Sequence, residues 1–192
     1  MGAEEKVKAS VILLACVGLS CLAAPSLAQQ RAEFDEDGYR TSRYRAPVDR
    51  DPHPSARLAL PAALLLDPGK DALFIDVLPV NGGVRDAETG AWRLSEQHLT
   101  IPGAVWHPEA GRGDADPALW NELVREVTKA RRRKPHLPVI LFCRTDCWMG
   151  WNAARRLAAE GHEGVWWLAE GIEGWRTREQ LVPAIPVTVP AN

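Results

Sequence analysis

Val139-Ile-Leu-Phe-Cys-Arg-Thr-Asp-Cys-Trp-Met-Gly-Trp-Asn-Ala-Ala-Arg-Arg156 is the stretch on which the fold turns. It opens on an unbroken apolar run, Val139 to Phe142, the pattern of a strand covered on both faces. It closes on Asn152-Ala-Ala-Arg-Arg-Leu-Ala-Ala-Glu-Gly161, strong helix formers ended by a glycine suited to the C′ position. A loop starting at Cys143 is left between them. A cysteine that ends a strand and turns directly into a helix has its sulfur near the helix's unpaired N–H groups. Those groups and the positive end of the helix dipole favour thiolate over thiol. The layout predicts a reactive Cys143.

Outward from this stretch, strands and helices alternate. Leu58 and Leu60 suit a short strand, and Pro61 to Leu66 a short helix with proline in its first turn. Ala72-Leu-Phe-Ile-Asp-Val-Leu78 reads as a buried strand whose one polar residue, Asp76, sits at the carboxyl end, where open α/β sheets bind ligands. Residues 79–100 hold turn signals and little periodicity, which predicts a long connection. Ile101 to Pro108 reads as a tight turn feeding a short strand. Asp116-Pro117 caps a helix to about Arg132, with Leu119, Trp120, Leu123, Val124 and Val127 on its buried face. Its basic end, Lys129 to Lys134, lies where cations suit the helix dipole and needs no partner. Gly164 to Ala169 is a further strand. The alternation predicts one α/β domain over 57–182, a central parallel sheet flanked by helices.

The ends of the chain read differently. Met1 to Lys8 is a short charged head, Ala9 to Ala24 is apolar, and Ser26-Leu27-Ala28 gives a small-x-small pattern. Together they predict a secretory signal peptide over 1–28 and a periplasmic mature protein. The apolar run is short for a bilayer span, so the membrane is expected to be met only through the signal peptide. Residues 29–56 are polar, charged and proline-punctuated and predict an extended arm, with Tyr39 and Tyr44 pinning it and Arg40, Arg43 and Arg45 solvated. Residues 183–192 form a proline-rich tail. The net charge of −2 gives no sign of nucleic acid as a partner.

Of the four cysteines, Cys16 and Cys21 leave with the signal, and Cys143 and Cys147 remain. A disulfide between residues so close in sequence constrains the fold little. The pair is therefore read as a redox or sulfur-handling pair, the alternative being a permanent disulfide that staples the loop. Cys143 is the expected nucleophile, Cys147 its resolving thiol, and Asp76 the third candidate, as a structural acceptor before an acid–base group. Arg144 and Asp146 lie in the loop, and Trp148, Trp151 and Trp106 would form an aromatic wall suited to a planar ligand such as a quinone. His107 is the histidine expected nearest the site. A Cys143/Cys147/His107 metal site lacks an obvious fourth ligand, and Met149 stands where a Cys-x5-Arg phosphatase needs arginine.

In order along the chain, Phe74-Ile-Asp-Val77, Ile101-Pro-Gly-Ala104, the strand–Cys–loop–helix of 139–160 and Glu170-Gly-Ile-Glu-Gly-Trp175 resemble the rhodanese-like domain. That resemblance implies a loop cysteine, Cys143, that carries sulfur as a persulfide. Gly38-Tyr-Arg40, Tyr44-Arg-Ala-Pro47 and Asp146-Cys-Trp-Met149 narrow it to an exported subfamily named for a CXXCW motif. This subfamily is found near pyrroloquinoline-quinone (PQQ)-dependent alcohol catabolism. The narrower resemblance implies a periplasmic quinoprotein dehydrogenase or c-type cytochrome as partner and no cofactor of the chain's own. Three residues, not two, separate the cysteines here. The loop also lacks the arginine with which active rhodaneses clamp an anionic donor, and Thr100 stands where a histidine often precedes Ile-Pro-Gly-Ala. Asp146 would repel a thiosulfate dianion by roughly 1 kcal/mol or more. Thiol–disulfide chemistry is expected ahead of thiosulfate sulfurtransfer, and a non-catalytic accessory of the dehydrogenase is the other class of reading.

Overall fold

The computed structural model describes residues 33–190, so the expected signal peptide and residues 29–32 lie outside the described residues. Its elements in chain order are β1 (Ala56–Leu58), α1 (Leu60–Ala63), β2 (Leu73–Asp76), β3 (Val84–Arg85), β4 (Trp92–Arg93), β5 (Leu99–Thr100) and β6 (Val105–Trp106). They are followed by α2 (Pro117–Arg133), β7 (Val139–Phe142), α3 (Trp148–Ala159), β8 (Val165–Leu168), α4 (Gly171–Arg176) and β9 (Val182–Pro183).

The apolar runs form the middle of a five-stranded sheet of order β1-β8-β7-β2-β6, all parallel. β2 and β7 are buried at every position, as strands covered on both faces must be. Their register, Asp76 opposite Phe142 and Phe142 opposite Leu168, brings three strands to an end at one level. Cys143, one residue beyond Phe142, stands at that carboxyl edge. Phe74, Phe142 and Trp175 meet edge-on beneath it, with ring centroids 5.7 to 6.3 Å apart. α2 runs as its cap predicts: Asp116 Oδ1 accepts from Ala118 N, and Leu119, Trp120, Leu123 and Val127 are buried, while Val124 is half-buried.

The structure corrects three expectations. The connection 79–100 carries a small antiparallel hairpin, β3 with β4, whose two-residue strands are too short to show periodicity. The cysteine helix starts at Trp148, not at Asn152, so only five residues, Cys143 to Cys147, separate strand from helix. Propensity misses that first turn because Trp and Gly150 are weak helix formers, and packing overrides it. Gly150 is required there: a Cβ would sit 3.2 Å from both the Cys143 nitrogen and its sulfur.

The arm is the third correction, since it is packed on the domain through Arg40, while Arg43 and Arg45 stay exposed as expected. Arg40 is 5 % exposed, its backbone is gripped by Asn152 (Arg40 N to Asn152 Oδ1 3.0 Å; Asn152 Nδ2 to Arg40 O 2.8 Å), and its guanidinium pairs with Glu33 at 2.7 Å. That guanidinium also lies 5.0 Å from the Trp148 ring centre, while Phe34 meets Trp148 edge-on at 5.1 Å. Trp151 Nε1 donates to Arg50 O at 2.9 Å. Tyr44 does pin the segment, its hydroxyl bonding to Asp114 and Gly113. Among the described residues no helix is long and apolar enough to cross a membrane.

Candidate functional site

The carboxyl edge gathers Asp76 from β2, Trp106 from β6 and Cys143 after β7. Cys143 is fully buried, and its carbonyl accepts from Ile172 N at 2.9 Å. Gly171 makes that approach possible: its φ is +55°, and a Cβ would meet the Cys143 carbonyl oxygen at 2.2 Å. The Cys143 thiol donates to the Cys147 carbonyl at 3.1 Å, and Gly150 N, in the first turn of α3, donates to its sulfur at 3.2 Å. Cys147 caps α3 and is buried too. Both cysteines are free thiols.

Their acidities reverse the expectation. Burial pushes the Cys143 thiol well above its ordinary range, reinforced by neighbouring Cys147 and by the charge of Asp76, against which the one Gly150 amide counts for less. Cys147 is instead lowered to about 7. The causes, largest first, are hydrogen bonding with the Cys143 thiol, then, against the opposing cost of burial, the N–H groups of Met149 and Arg144 and the charge of Arg45. The backbone N–H that reaches a sulfur in this turn, that of Gly150, goes to Cys143, while Cys147 stands at the N-cap with no side-chain cap hydrogen bond and owes its lowering first to its thiol neighbour. The two groups titrate as one coupled pair, with the proton resting on Cys143 and the thiolate on Cys147.

Asp76 is fully buried and occupied as an acceptor. Its Oδ1 takes Leu78 N at 2.9 Å, and its Oδ2 takes the Thr100 hydroxyl at 2.7 Å and lies 2.7 Å from His98 Nε2. It ties the loop after β2 to β5. His107 stands at this edge as expected, its backbone N–H donating to Asp76 O at 2.8 Å, and His98 joins it, with its ring tilted against Trp106 at 4.0 Å. Thr100 takes the place of the histidine, and a histidine two residues earlier reaches the same carboxylate. No periodicity marks that stretch, so local pattern offers no signal for it. His107 is buried, which alone lowers its pKa to about 4. Among the described residues no group of three His, Cys, Asp or Glu side chains could hold a metal ion.

The remaining candidates separate into two places. Arg144, His98, Trp106, Ile172, Arg176 and Leu181 line a cleft of about 230 Å³. Trp148 and Trp151 face the arm and meet each other at 5.2 Å, so the aromatic wall is filled by Phe34, Arg40 and Arg50 instead of standing open. Asp146 is exposed on the outer side of the loop with φ +51°, its carbonyl accepting from Ala46 N at 3.1 Å.

The rhodanese-like domain family matches residues 62–178, which run from the last residues of α1 through α4 and include both cysteines. No curated protein and no solved structure is significantly similar to the chain.

Proposed function

Since the chain belongs to the rhodanese-like domain family, we propose that its sulfur-transfer or thiol chemistry is carried by Cys143 and Cys147 as one exported dithiol pair. Residues 1–28 are its signal peptide and the periplasm its compartment in this reading, and the CXXCW-like loop ties it to PQQ-dependent alcohol catabolism. The observation that carries the reading is two free thiols in one five-residue loop at the carboxyl edge, the Cys143 thiol bonded to the Cys147 carbonyl at 3.1 Å. Burial raises Cys143 while Cys147 is lowered to about 7, a split in acidity that agrees with it.

The order of events follows from that split. The Cys147 thiolate attacks one sulfur of a donor disulfide, forming a mixed disulfide and expelling the other half as a thiolate. Cys143 then attacks the Cys147 sulfur, and its proton leaves with the second expelled thiolate. Two protein thiols are oxidised and one donor disulfide is reduced to two thiols. With a polysulfide donor, the first step leaves an extra sulfur on Cys147, which Cys143 discharges in the same way. Attack within one loop gains from a high effective concentration. Asp76 holds the carboxyl edge in shape, and burial first, with the Asp76 charge a small addition, keeps Cys143 protonated until its turn.

Intact-mass measurement after exposure to glutathione disulfide, polysulfide or thiosulfate tests this on the wild type and on Cys143→Ser and Cys147→Ser. The expected result is a trapped adduct on Cys147 in Cys143→Ser and an internal disulfide in the wild type. A stable persulfide from thiosulfate on the wild type, turned over to cyanide, would replace the proposal with ordinary thiosulfate sulfurtransfer. The burial of both thiols favours a second reading, an accessory to a periplasmic quinoprotein dehydrogenase or its c-type cytochrome acceptor. Under it, a variant with both cysteines changed to serine captures the same partner from periplasm as the wild type. Under dithiol chemistry it does not.

A further inference from the structure

Tyr44-Arg-Ala-Pro47, which has had no part in the chemistry so far, lies directly on the cysteine loop. Trp148 N donates to Tyr44 O at 2.9 Å and Ala46 N donates to Asp146 O at 3.1 Å, which makes Arg45 and Cys147 partners in an antiparallel bridge. Residues directly opposite in such a pair project their side chains to the same side, with Cβ atoms about 4.5–5.5 Å apart. The Arg45 guanidinium is also anchored from below. Its Nη1 lies 3.5 Å from Glu173 Oε1, and Glu173 Oε2 accepts from Thr145 N at 2.7 Å. Thr145 in turn donates its hydroxyl to Glu170 O at 2.7 Å. Arm, loop and α4 are thus tied through one ion pair above Cys147.

We propose that Arg45 is a positioning residue of the dithiol site, a cation delivered by the arm that keeps Cys147 as the attacking sulfur and so sets the order in which the two thiols react. The inference rests on the reading of Cys143 and Cys147 as a working pair. The charges around the pair support the assignment. Asp76 on β2 acts on Cys143, Asp146 is exposed on the loop's outer side, and Arg144 lines the cleft. Glu173 on α4 partly offsets Arg45 while holding it in place. Arg45 is the charged side chain whose field lowers Cys147, after the Cys143 hydrogen bond and the loop amides have acted. Its side chain is 58 % exposed, so its field is screened and its share is the smaller one.

The test is a pH titration of thiolate ultraviolet absorbance on the reduced protein, for wild type, Arg45→Gln and Arg45→Lys. The near-ultraviolet circular dichroism of Trp148 and Trp151 reports whether the arm is docked. Arg45→Gln raises the first midpoint by roughly half a pH unit, while Arg45→Lys leaves it in place. Limited alkylation below that midpoint labels Cys147 first in the wild type and divides between the two sulfurs in Arg45→Gln. An Arg45→Gln protein with a docked arm, an unchanged midpoint and unchanged labelling overturns the proposal. Should Arg45→Gln undock the arm, the wild type alone decides. Added salt screens the attraction and raises its midpoint, and a midpoint indifferent to salt counts against Arg45. A wild type that titrates as expected yet exchanges no disulfide removes the function of the pair and leaves the role of Arg45 standing.

Discussion

The cysteine loop has two flanks built on opposite terms. On the arm side most polar groups of the contact are spoken for: Asn152 serves both the N–H and the carbonyl of Arg40, Arg50 O takes the Trp151 indole, and Trp148, whose own Nε1 has no partner among the described residues, lies among Phe34, Trp151 and two guanidinium groups. On the other side is a cleft, and among the described residues neither Arg144 nor Arg176 has a carboxylate within ion-pair distance. Both flanks touch the same five residues. The closed flank spends its cations on aromatic faces and backbone, the open one leaves them to the solvent and to whatever enters. An anionic reactant has reason to approach from the second.

The strongest way to break this contrast is to hollow out the closed flank. Trp148→Ala removes a side chain only 1 % exposed and should cost about 3–5 kcal/mol, read as a drop in the denaturant midpoint of the reduced protein. A loss under about 1 kcal/mol would mean that the arm contributes no more than a surface loop does. Asn152→Ala comes next. It orphans Arg40 N, Arg40 O and Gly111 O together, at roughly 2–3 kcal/mol, and should loosen the arm before the sheet in hydrogen exchange.

Much of the open architecture was legible in the sequence, and little of the closed flank was. The apolar runs of β2 and β7, the Asp116 cap and the carboxyl-edge positions of Asp76 and Cys143 all follow from local pattern. The arm has no pattern because its anchoring is done by single residues: one phenylalanine, one tyrosine and arginines that read as solvated charge until an indole lies beneath them. The choice of acidic sulfur was hidden for a related reason. A helix N-terminus next to Cys143 argues for a thiolate there, but whether water reaches it depends on β2, α4 and the arm, all distant in sequence. His98 was missed because it lies in a connection with no period at all.

Acidity gives a third, smaller handle. Cys147 has its pKa lowered on folding, so it adds stability above the unfolded thiol range and loses it as pH falls through about 7. Cys143, raised on folding, acts in the opposite sense, because above the unfolded range the folded chain still holds its proton. The stability of the reduced protein should therefore rise from pH 7 toward 9 by on the order of 1 kcal/mol and fall beyond it. Cys147→Ser should lose the rise and Cys143→Ser the fall, as followed by urea unfolding across pH. A profile identical in all three proteins would deny the split.

The smallest stability effect belongs to the open flank. Arg144→Gln should leave stability within about 0.5 kcal/mol, since the guanidinium has no partner to lose among the described residues. The same change should slow reaction with an anionic disulfide such as glutathione disulfide by about 3–10-fold and spare a neutral one such as hydroxyethyl disulfide. Equal slowing of both would place Arg144 in the loop's structure, not in the capture of charge.

Arg40 and Asn152, which grip each other, stand 112 positions apart. A chain made from its amino terminus presents the arm first and its seat last, and contacts of long sequence separation close late. The sheet and the cysteine strand can assemble while the arm is still waiting for α3. For that interval the two sulfurs face the surroundings unsealed, at the moment when an oxidising compartment would act on them. Docking of the arm then ends the exposure, so under the exported reading proposed above the redox state the protein starts with would be set by a race between that contact and its oxidants.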